Sequence, residues 1–313
     1  MSNNKEYKDI KVAVLLLNWN GVELTVPCIE SLQKGTIIPT QIIVVDNASV
    51  DNSVNILKEK FPFIELIQNQ TNLGFTGGNN IGFKKILSDH YDYIWVLNND
   101  TLVDKNCLYN LLEAMQADIS IAAVSGKILY DDPTDIIWYA GSVLNKNTLR
   151  SKHKGEMQKD LGQYDIQEDV PFISGCCMLI RRNVLETVGL FDNNFFAYSD
   201  DFDWCLRAKS MGLRLRYIPK AMIYHKVSAS FKKTTTNKNG GTSSPFAIYL
   251  TTRNRLYIIR KHAKNNLQFL MATSQFFLWN IYYGTALLLL LRITKLNFLV
   301  KGIRDGCFNK LNN

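Results

Sequence analysis

Acidic residues all but vanish from the last third of the chain. Residues 204–313 hold 19 Lys and Arg but a single acid, Asp305, whereas residues 1–203 hold 27 acids against 17 Lys and Arg. The overall charge of +8 therefore hides an acidic front and a strongly basic back, and halves so different face different partners. CxxC pairs are also missing. The six cysteines include the adjacent Cys176 and Cys177, a spacing that excludes the usual zinc motifs and suits no ordinary disulfide; reduced thiols in a cytosolic protein are expected. No GxGxxG is present, which argues against dinucleotide binding, and no internal repeat is visible. The first ten residues are polar and the apolar run Val12–Leu17 is too short for a secretory leader, so none is expected. With 46% hydrophobic and 20% charged residues, disorder is excluded as well.

What is present is an alternation of strand and helix signals. Val12–Leu17, Gln41–Val45 and Tyr93–Leu97 are apolar runs of strand length, separated by helical patterns at Val22–Gln33, Asp51–Lys60 and Lys105–Ala117. This predicts an α/β protein with a Rossmann-like, mostly parallel central sheet and helices on both faces. Ligands of such sheets bind beyond the carboxyl ends of the strands. All three ends are small and polar: Asn18-Trp19-Asn20-Gly21, Asp46-Asn47-Ala48-Ser49 and Asn98-Asn99-Asp100. One such end is an ordinary turn, but three in register form a site. Gly74–Asn80 reads as a glycine-rich turn into a helix whose first amides could meet phosphate. A hairpin is expected around Trp138–Arg150, a strand near Phe172–Ile180, and a helix opened by Ser199-Asp200-Asp201-Phe202-Asp203, capped by Ser199 or Asp200. Ser228–Ser244 reads as a mobile loop.

Residues 265–291 carry no charge, and as one helix Phe269–Leu291 would reach about 35 Å. Basic residues stand on both sides, Arg260, Lys261 and Lys264 before and Arg292, Lys295, Lys301 and Arg304 after, which opposes a single span. A segment lying in the membrane surface or re-entering it is favoured over a span, with a buried core or homo-oligomer helix as the soluble alternative. The chain thus divides into a main domain, residues 1–262, with a nucleotide-binding part over about 10–125 and an acceptor part over about 126–262, and a membrane-associating tail, residues 263–313. Because the basic residues flank an apolar run and do not interleave with aromatics, a nucleic-acid partner is not expected.

Eight stretches, LLNWNG (16–21), VVDNASVDNS (44–53), NQTNLGFTGGNN (69–80), WVLNND (95–100), SGCCMLIRR (174–182), FFAYSDDFDWCLRAKSMG (195–212), YHKVSAS (224–230) and LTTRNRLYIIRKH (250–262), occur in one order. In that order the chain resembles family 2 glycosyltransferases of GT-A fold, in particular the rhamnosyltransferase-like branch that builds surface polysaccharides. The resemblance implies inverting, metal-dependent transfer of one sugar from a nucleotide-diphosphate sugar to a lipid-linked saccharide at the cytoplasmic face of a membrane. It assigns Asp100 and His225 to a divalent cation, and Asp201 to the base that takes the acceptor's proton, with Asp200 and Asp203 in support. A triplet with one acid leans on the donor phosphates and suits Mg2+, whereas a nitrogen ligand tilts the choice to Mn2+. Asp46 is expected to read the base or ribose, Asn20 and Asn98 the ribose or diphosphate, with Asn47, Asn79 and Arg253 completing the donor set. Trp204 and Arg207 are expected to brace their helix. The QxxRW of processive synthases is absent, which points to one sugar per acceptor. The competing readings are a membrane-docked nucleotide-sugar binder without turnover and a sugar nucleotidyltransferase.

Overall fold

The computed structural model describes residue 7 and residues 9–226 and 244–311, so the expected loop Ser228–Ser244 lies, but for Ser244, outside the described residues. Three apolar runs become parallel strands, β1 (Val12–Asn18), β2 (Gln41–Asp46) and β4 (Tyr93–Asn98), with β3 (Glu65–Gln68) outside β2. Their side chains are buried along almost the whole run, as expected of strands covered on both faces. The register pairs Asn18 with Asp46 and Leu17 with Asn98, so the three polar ends line up along one edge of the sheet.

The other half of the sheet is mixed. Beyond β4 come β11 (Cys177–Arg181), β6 (Ile121–Tyr130), β12 (Arg214–His225) and β10 (Glu168–Asp169). Strand β11 runs antiparallel to both β4 and β6, and β12 is parallel to β6. The short β5 (Thr101–Val103) follows β4 after a two-residue turn and pairs antiparallel with β12, matching Thr101 to His225. Strand β7 (Ile137–Tyr139) pairs with β6, while β8 (Ser142–Asn145) and β9 (Arg150–His153) form a separate hairpin, slightly later in the chain than the expected one.

Six helices pack with the sheet: α1 (Val22–Gln33), α2 (Ser53–Lys60), α3 (Gly74–Ser88), α4 (Cys107–Ala117), α5 (Arg182–Val188) and α6 (Asp200–Ser210). The glycine-rich stretch is helical from its first residue, and its glycines serve packing. A Cβ at Gly82 would lie 2.2 Å from Leu15 Cδ1, and one at Gly74, whose φ is +72°, 2.3 Å from the carbonyl of Phe196. Only the smallest residue lets α3 sit this close to β1 and to the 195–199 segment. All six cysteines are free and five are buried; burial pushes the Cys28 thiol up to about 12.

Three further helices close the chain: α7 (Pro245–His262), α8 (Asn266–Leu289) and α9 (Ile293–Phe308). Ser244 caps α7, accepting from the amide of Ala247 at 3.1 Å. Helix α9 lies tight on α7, where Gly302 and Gly306 face Tyr249, Thr252 and Leu256 and the Tyr249 hydroxyl donates to Asp305 at 2.9 Å. Helix α8 turns Ala272, Phe276, Asn280 and Leu287 inward at helical spacing. Its other faces expose Leu267, Leu270, Leu278, Ile281, Tyr282 and Leu289. Among the described residues no helix is long and apolar enough to cross a membrane, so the spanning alternative for this segment falls.

Candidate active site

The carboxyl ends of β1 and β4 open on a cleft of about 420 Å3. Its polar floor comes from Asn20, Asn47, Asn98, Asn99 and Asp100; its rings are Trp19, Phe75, Phe196, Tyr198 and Phe246. Trp19, Tyr198 and Phe246 are each about half exposed, apolar surface offered to something flat. Asn98 also keeps its Oδ1 buried without a partner among the described residues.

At the edge of this cleft the β5–β12 pairing does the assembly. Asp100 sits in the turn after β4 and its carbonyl accepts from the amide of Lys226 at 2.7 Å, which fixes the end of β12 against the turn. His225 Nε2 then lies 3.1 Å from Asp100 Oδ1. The imidazole is nearly buried, with the edge of Trp138 against it and Nδ1 without a partner among the described residues. No group of three His, Cys, Asp or Glu side chains that could hold a metal occurs among the described residues. One carboxylate and one imidazole nevertheless fit a divalent ion that takes its other ligands from elsewhere: 3.1 Å suits adjacent ligands of an octahedral ion, whose bonds of about 2.1 Å set neighbours roughly 3 Å apart.

Asp201 comes from the first turn of α6. Its Oδ2 accepts from the amide of Gly175 at 2.9 Å and its Oδ1 from the amide of Phe202 at 2.7 Å. Gly175 and Cys176 lead into β11 beside the end of β4, where the amide of Asn98 bonds the carbonyl of Cys176 at 3.1 Å. Burial raises the Cys176 thiol, and the charges of Asp100 and, less strongly, Asp201 raise it further. Burial also raises Asp201, against the pull of the two amides and of His153. Asp200 is raised well above the usual range, by burial first and then by the charge of Asp201, and its Oδ2 has no partner among the described residues. Asp203 goes the other way: burial would raise it, but His262, Lys261 and Arg207 outweigh burial and hold it at about 2. Ser199 stands at the cap position of α6 in the left-handed region, and neither it nor Asp200 supplies a side-chain cap bond.

Several expected donor contacts are committed to the protein itself. Asp46 is 2% exposed and accepts from Asn18 Nδ2 at 2.8 Å and from the amide and hydroxyl of Ser49 at 2.9 and 2.6 Å. It anchors a polar chain in which Ser49 Oγ accepts from the Asn20 amide, so it shapes the cleft without facing it. Asn47 borders the cavity, but its amide bonds Asn72, Gly74, Asn69 and Leu73. Asn79 is buried and bonds the carbonyl of Phe75. The amides expected to meet phosphate at the start of α3 are already bonded: Gly74 to Asn72 and Thr76 to Phe196. Arg253 points to Asn254 and Asn194, between the rings of Tyr249 and Tyr257, and does not line the cleft. Its neighbour is the informative residue. Asn254, fully buried, donates to the carbonyls of Ala197 and Tyr198 at 2.8 and 2.7 Å, holding a turn where Tyr198 and Ser199 both have φ of 67°. Trp204 and Arg207 brace α6 on the carbonyls of Val188, Gly189 and Leu190.

Trp19, Trp138, His153 and Asn254 were not among the residues singled out from the sequence. An aromatic directly after a strand's polar end, as in Asn18-Trp19-Asn20, is the one local signal that pointed to any of them.

Fold and cleft together place the chain among the GT-A glycosyltransferases. It belongs to glycosyl transferase family 2, whose profile matches residues 14–189, more than half of the chain. That match ends before α6, so Asp201 and His225 stand outside it. The chain is similar to the dTDP-rhamnosyl transferase RfbF of Shigella flexneri, 28% identical over 218 residues that cover 68% of this chain and 70% of that one. It is 25% identical over 187 residues to the poly-beta-1,6-N-acetyl-D-glucosamine synthase of Staphylococcus aureus (strain COL), covering 59% of this chain and 42% of the synthase. Among solved structures, GalNAc-T7 with UDP, GalNAc and Mn2+ superposes with a TM-score of 0.56 at 15% identity, over 69% of this chain and 44% of that one, a likeness of fold alone. The chain thus spans less than half the length of the synthase and of GalNAc-T7.

Proposed function

We propose that this glycosyltransferase moves a single sugar, with inversion, from a nucleotide-diphosphate donor to a lipid-linked saccharide during cell-surface polysaccharide synthesis. The observation that carries the reading is the 3.1 Å contact of His225 with Asp100 at the cleft edge, with the raised carboxyl of Asp201 beside the same strand end. The rings of Trp19, Tyr198 and Phe246 receive the flat base and the sugar, and the free Oδ1 of Asn98 accepts a ribose or sugar hydroxyl. Asp100 and His225 hold a divalent cation, which when bound offsets the charge that builds on the departing diphosphate. Asp201 accepts the proton of the attacking hydroxyl, and Asp200, whose carboxyl is raised by burial and by the charge of Asp201, lies beside it. The acceptor's lipid is inferred from the exposed apolar faces of α8 and the basic residues at both its ends, which suit docking in the surface of an anionic membrane. Six free thiols agree with the cytoplasmic side of that membrane. dTDP-rhamnose is the first donor to try, because RfbF is named for it.

The test is release of nucleotide diphosphate from a panel of nucleotide sugars by the full chain, with Mn2+, Mg2+ or chelator. Turnover should need the cation. Asp100→Ala should remove it, and His225→Ala should raise the cation concentration for half-maximal rate by about 10-fold to 100-fold, the usual effect of losing part of a metal shell. Turnover undiminished by chelator, or a His225→Ala variant with unchanged cation demand, would sink the metal assignment.

A further inference from the structure

A second cavity, of about 410 Å3, lies behind the first. The β8–β9 hairpin, the start of α6, and the helices α7 and α8 enclose it. Two guanidinium groups line it. Arg255, on α7, is largely buried and donates to the carbonyls of Leu149 (2.6 Å) and Thr148; Arg150, on β9, lies 5.6 Å from the centroid of the Trp279 ring. Neither forms an ion pair with a carboxylate among the described residues, and residues 227–243 contain no acid. Burial, and then the charge of Arg150, lower the Arg255 guanidinium to about 10. Two like charges, one withdrawn from water, sharing a cavity with no counter-charge among the described residues is an unfavourable arrangement unless an anion completes it.

The other walls narrow down the anion. Trp279 and Tyr283 of α8 bring aromatic faces, with Gln275 and Asn280 beside them. Ser199 and Phe202, which flank the Asp200–Asp201 pair, line the cavity too. So does α8, whose remaining faces are exposed and apolar. A molecule lying here would place a sugar near Asp201, an anionic group at Arg150 and Arg255, and a hydrocarbon chain along α8.

We infer that this cavity binds the phosphate or diphosphate linking the acceptor saccharide to its lipid, with Arg150 and Arg255 as the anion's ligands and Trp279 against the adjoining sugar. The inference rests on the glycosyl-transfer reading for its sugar, but the anion site stands on the two unpaired guanidiniums alone. Bidentate guanidinium contacts suit phosphate oxygens in a way a lysine would not.

The experiment compares two acceptors carrying the same saccharide, one on a short-chain lipid diphosphate and one as an octyl glycoside without phosphate. Wild type should prefer the diphosphate, and Arg255→Gln and Arg150→Gln should each cut the ratio of kcat/KM for the two acceptors by at least 10-fold. Arg150 is exposed, so its variant keeps the test sound even if Arg255→Gln loosens the hairpin. Equal losses on both acceptors, or an unchanged ratio, would overturn the assignment. Calorimetry with inorganic pyrophosphate supplies an arm that needs no turnover: binding to wild type that the double variant loses supports the site, and no binding to wild type overturns it. Flotation with phosphatidylcholine vesicles containing phosphatidylglycerol separates the other source of phosphate. If the double variant loses vesicle binding while keeping its acceptor ratio, the arginines serve headgroups and the acceptor assignment fails. A wild-type chain that turns over no nucleotide sugar would sink the transfer reading and leave the pyrophosphate result to decide this one.

Discussion

Asp201→Asn should leave a folded protein that still binds nucleotide sugar but transfers about 10^2-fold to 10^4-fold more slowly, the range expected when a general base is lost. The substitution keeps the size of the side chain and one oxygen to accept from the Gly175 amide, so the start of α6 should hold. What disappears is an ionisable oxygen with a raised proton affinity. Burial raises the Asp201 carboxyl, and a base acts only when ionised; wild-type kcat/KM should therefore rise with pH through an acid limb above the ordinary carboxylate value near 4. In the variant that limb should be gone from the residual rate. Transfer by Asp201→Asn at the wild-type rate, or a wild-type acid limb at about 4, would remove Asp201 from the role of base.

The second large effect concerns stability. Asp203 is buried and bonds His262 at 2.8 Å, Lys261 at 2.7 Å and Arg207 at 2.9 Å. Held at about 2, its carboxyl is roughly two pH units below an unfolded aspartate, worth on the order of 2.5 kcal/mol. Asp203→Ala also strands the cations it pairs, so the loss should be about 3–5 kcal/mol, a fall in melting temperature on the order of 10 °C. Because the folded-state value is depressed, this contribution is complete above about pH 4 and is lost as the pH falls toward 2. The gap between wild type and variant should narrow over that window. A melting temperature within a degree or two of wild type at neutral pH would show that the network contributes little.

The parallel half of the sheet was readable to within a residue or two, because strands covered on both faces write themselves as unbroken apolar runs ending in polar residues. The mixed half was not. Strand β12 carries Arg214, Arg216 and Lys220 among its apolar residues, because β10, α4 and the sheet edge give those cations acids or solvent. The partnership of Asp100 with His225 was legible only through resemblance; 125 residues separate the two, and the Thr101–His225 register that joins them leaves no local mark. Asp46 and the start of Gly74–Asn80 bond their own framework here, for a shared reason. Polar and glycine residues near a site can serve its framework, and the sequence does not say which atoms remain free once neighbours have bonded them. The Arg253-Asn254 pair was noticed for its charge, yet the amide beside it holds the Tyr198–Ser199 turn.

That turn separates the two cavities, and α7 borders both: Phe246, Ala247 and Leu250 face the first, Ile248, Thr251 and Arg255 the second. Helix α7 puts Tyr257 and Ile258 into the main core. It leans on α9, where a Cβ at Gly302 would come within 2.8 Å of the Tyr249 carbonyl and one at Gly306 within 2.7 Å of Leu256. A chain cut after His262 would keep every strand of the sheet and should still loosen the walls of both cavities at once, a double deficit that nucleotide-binding and acceptor-binding measurements on the truncated protein would expose. The last fifty residues are the buttress of the wall that the two cavities share.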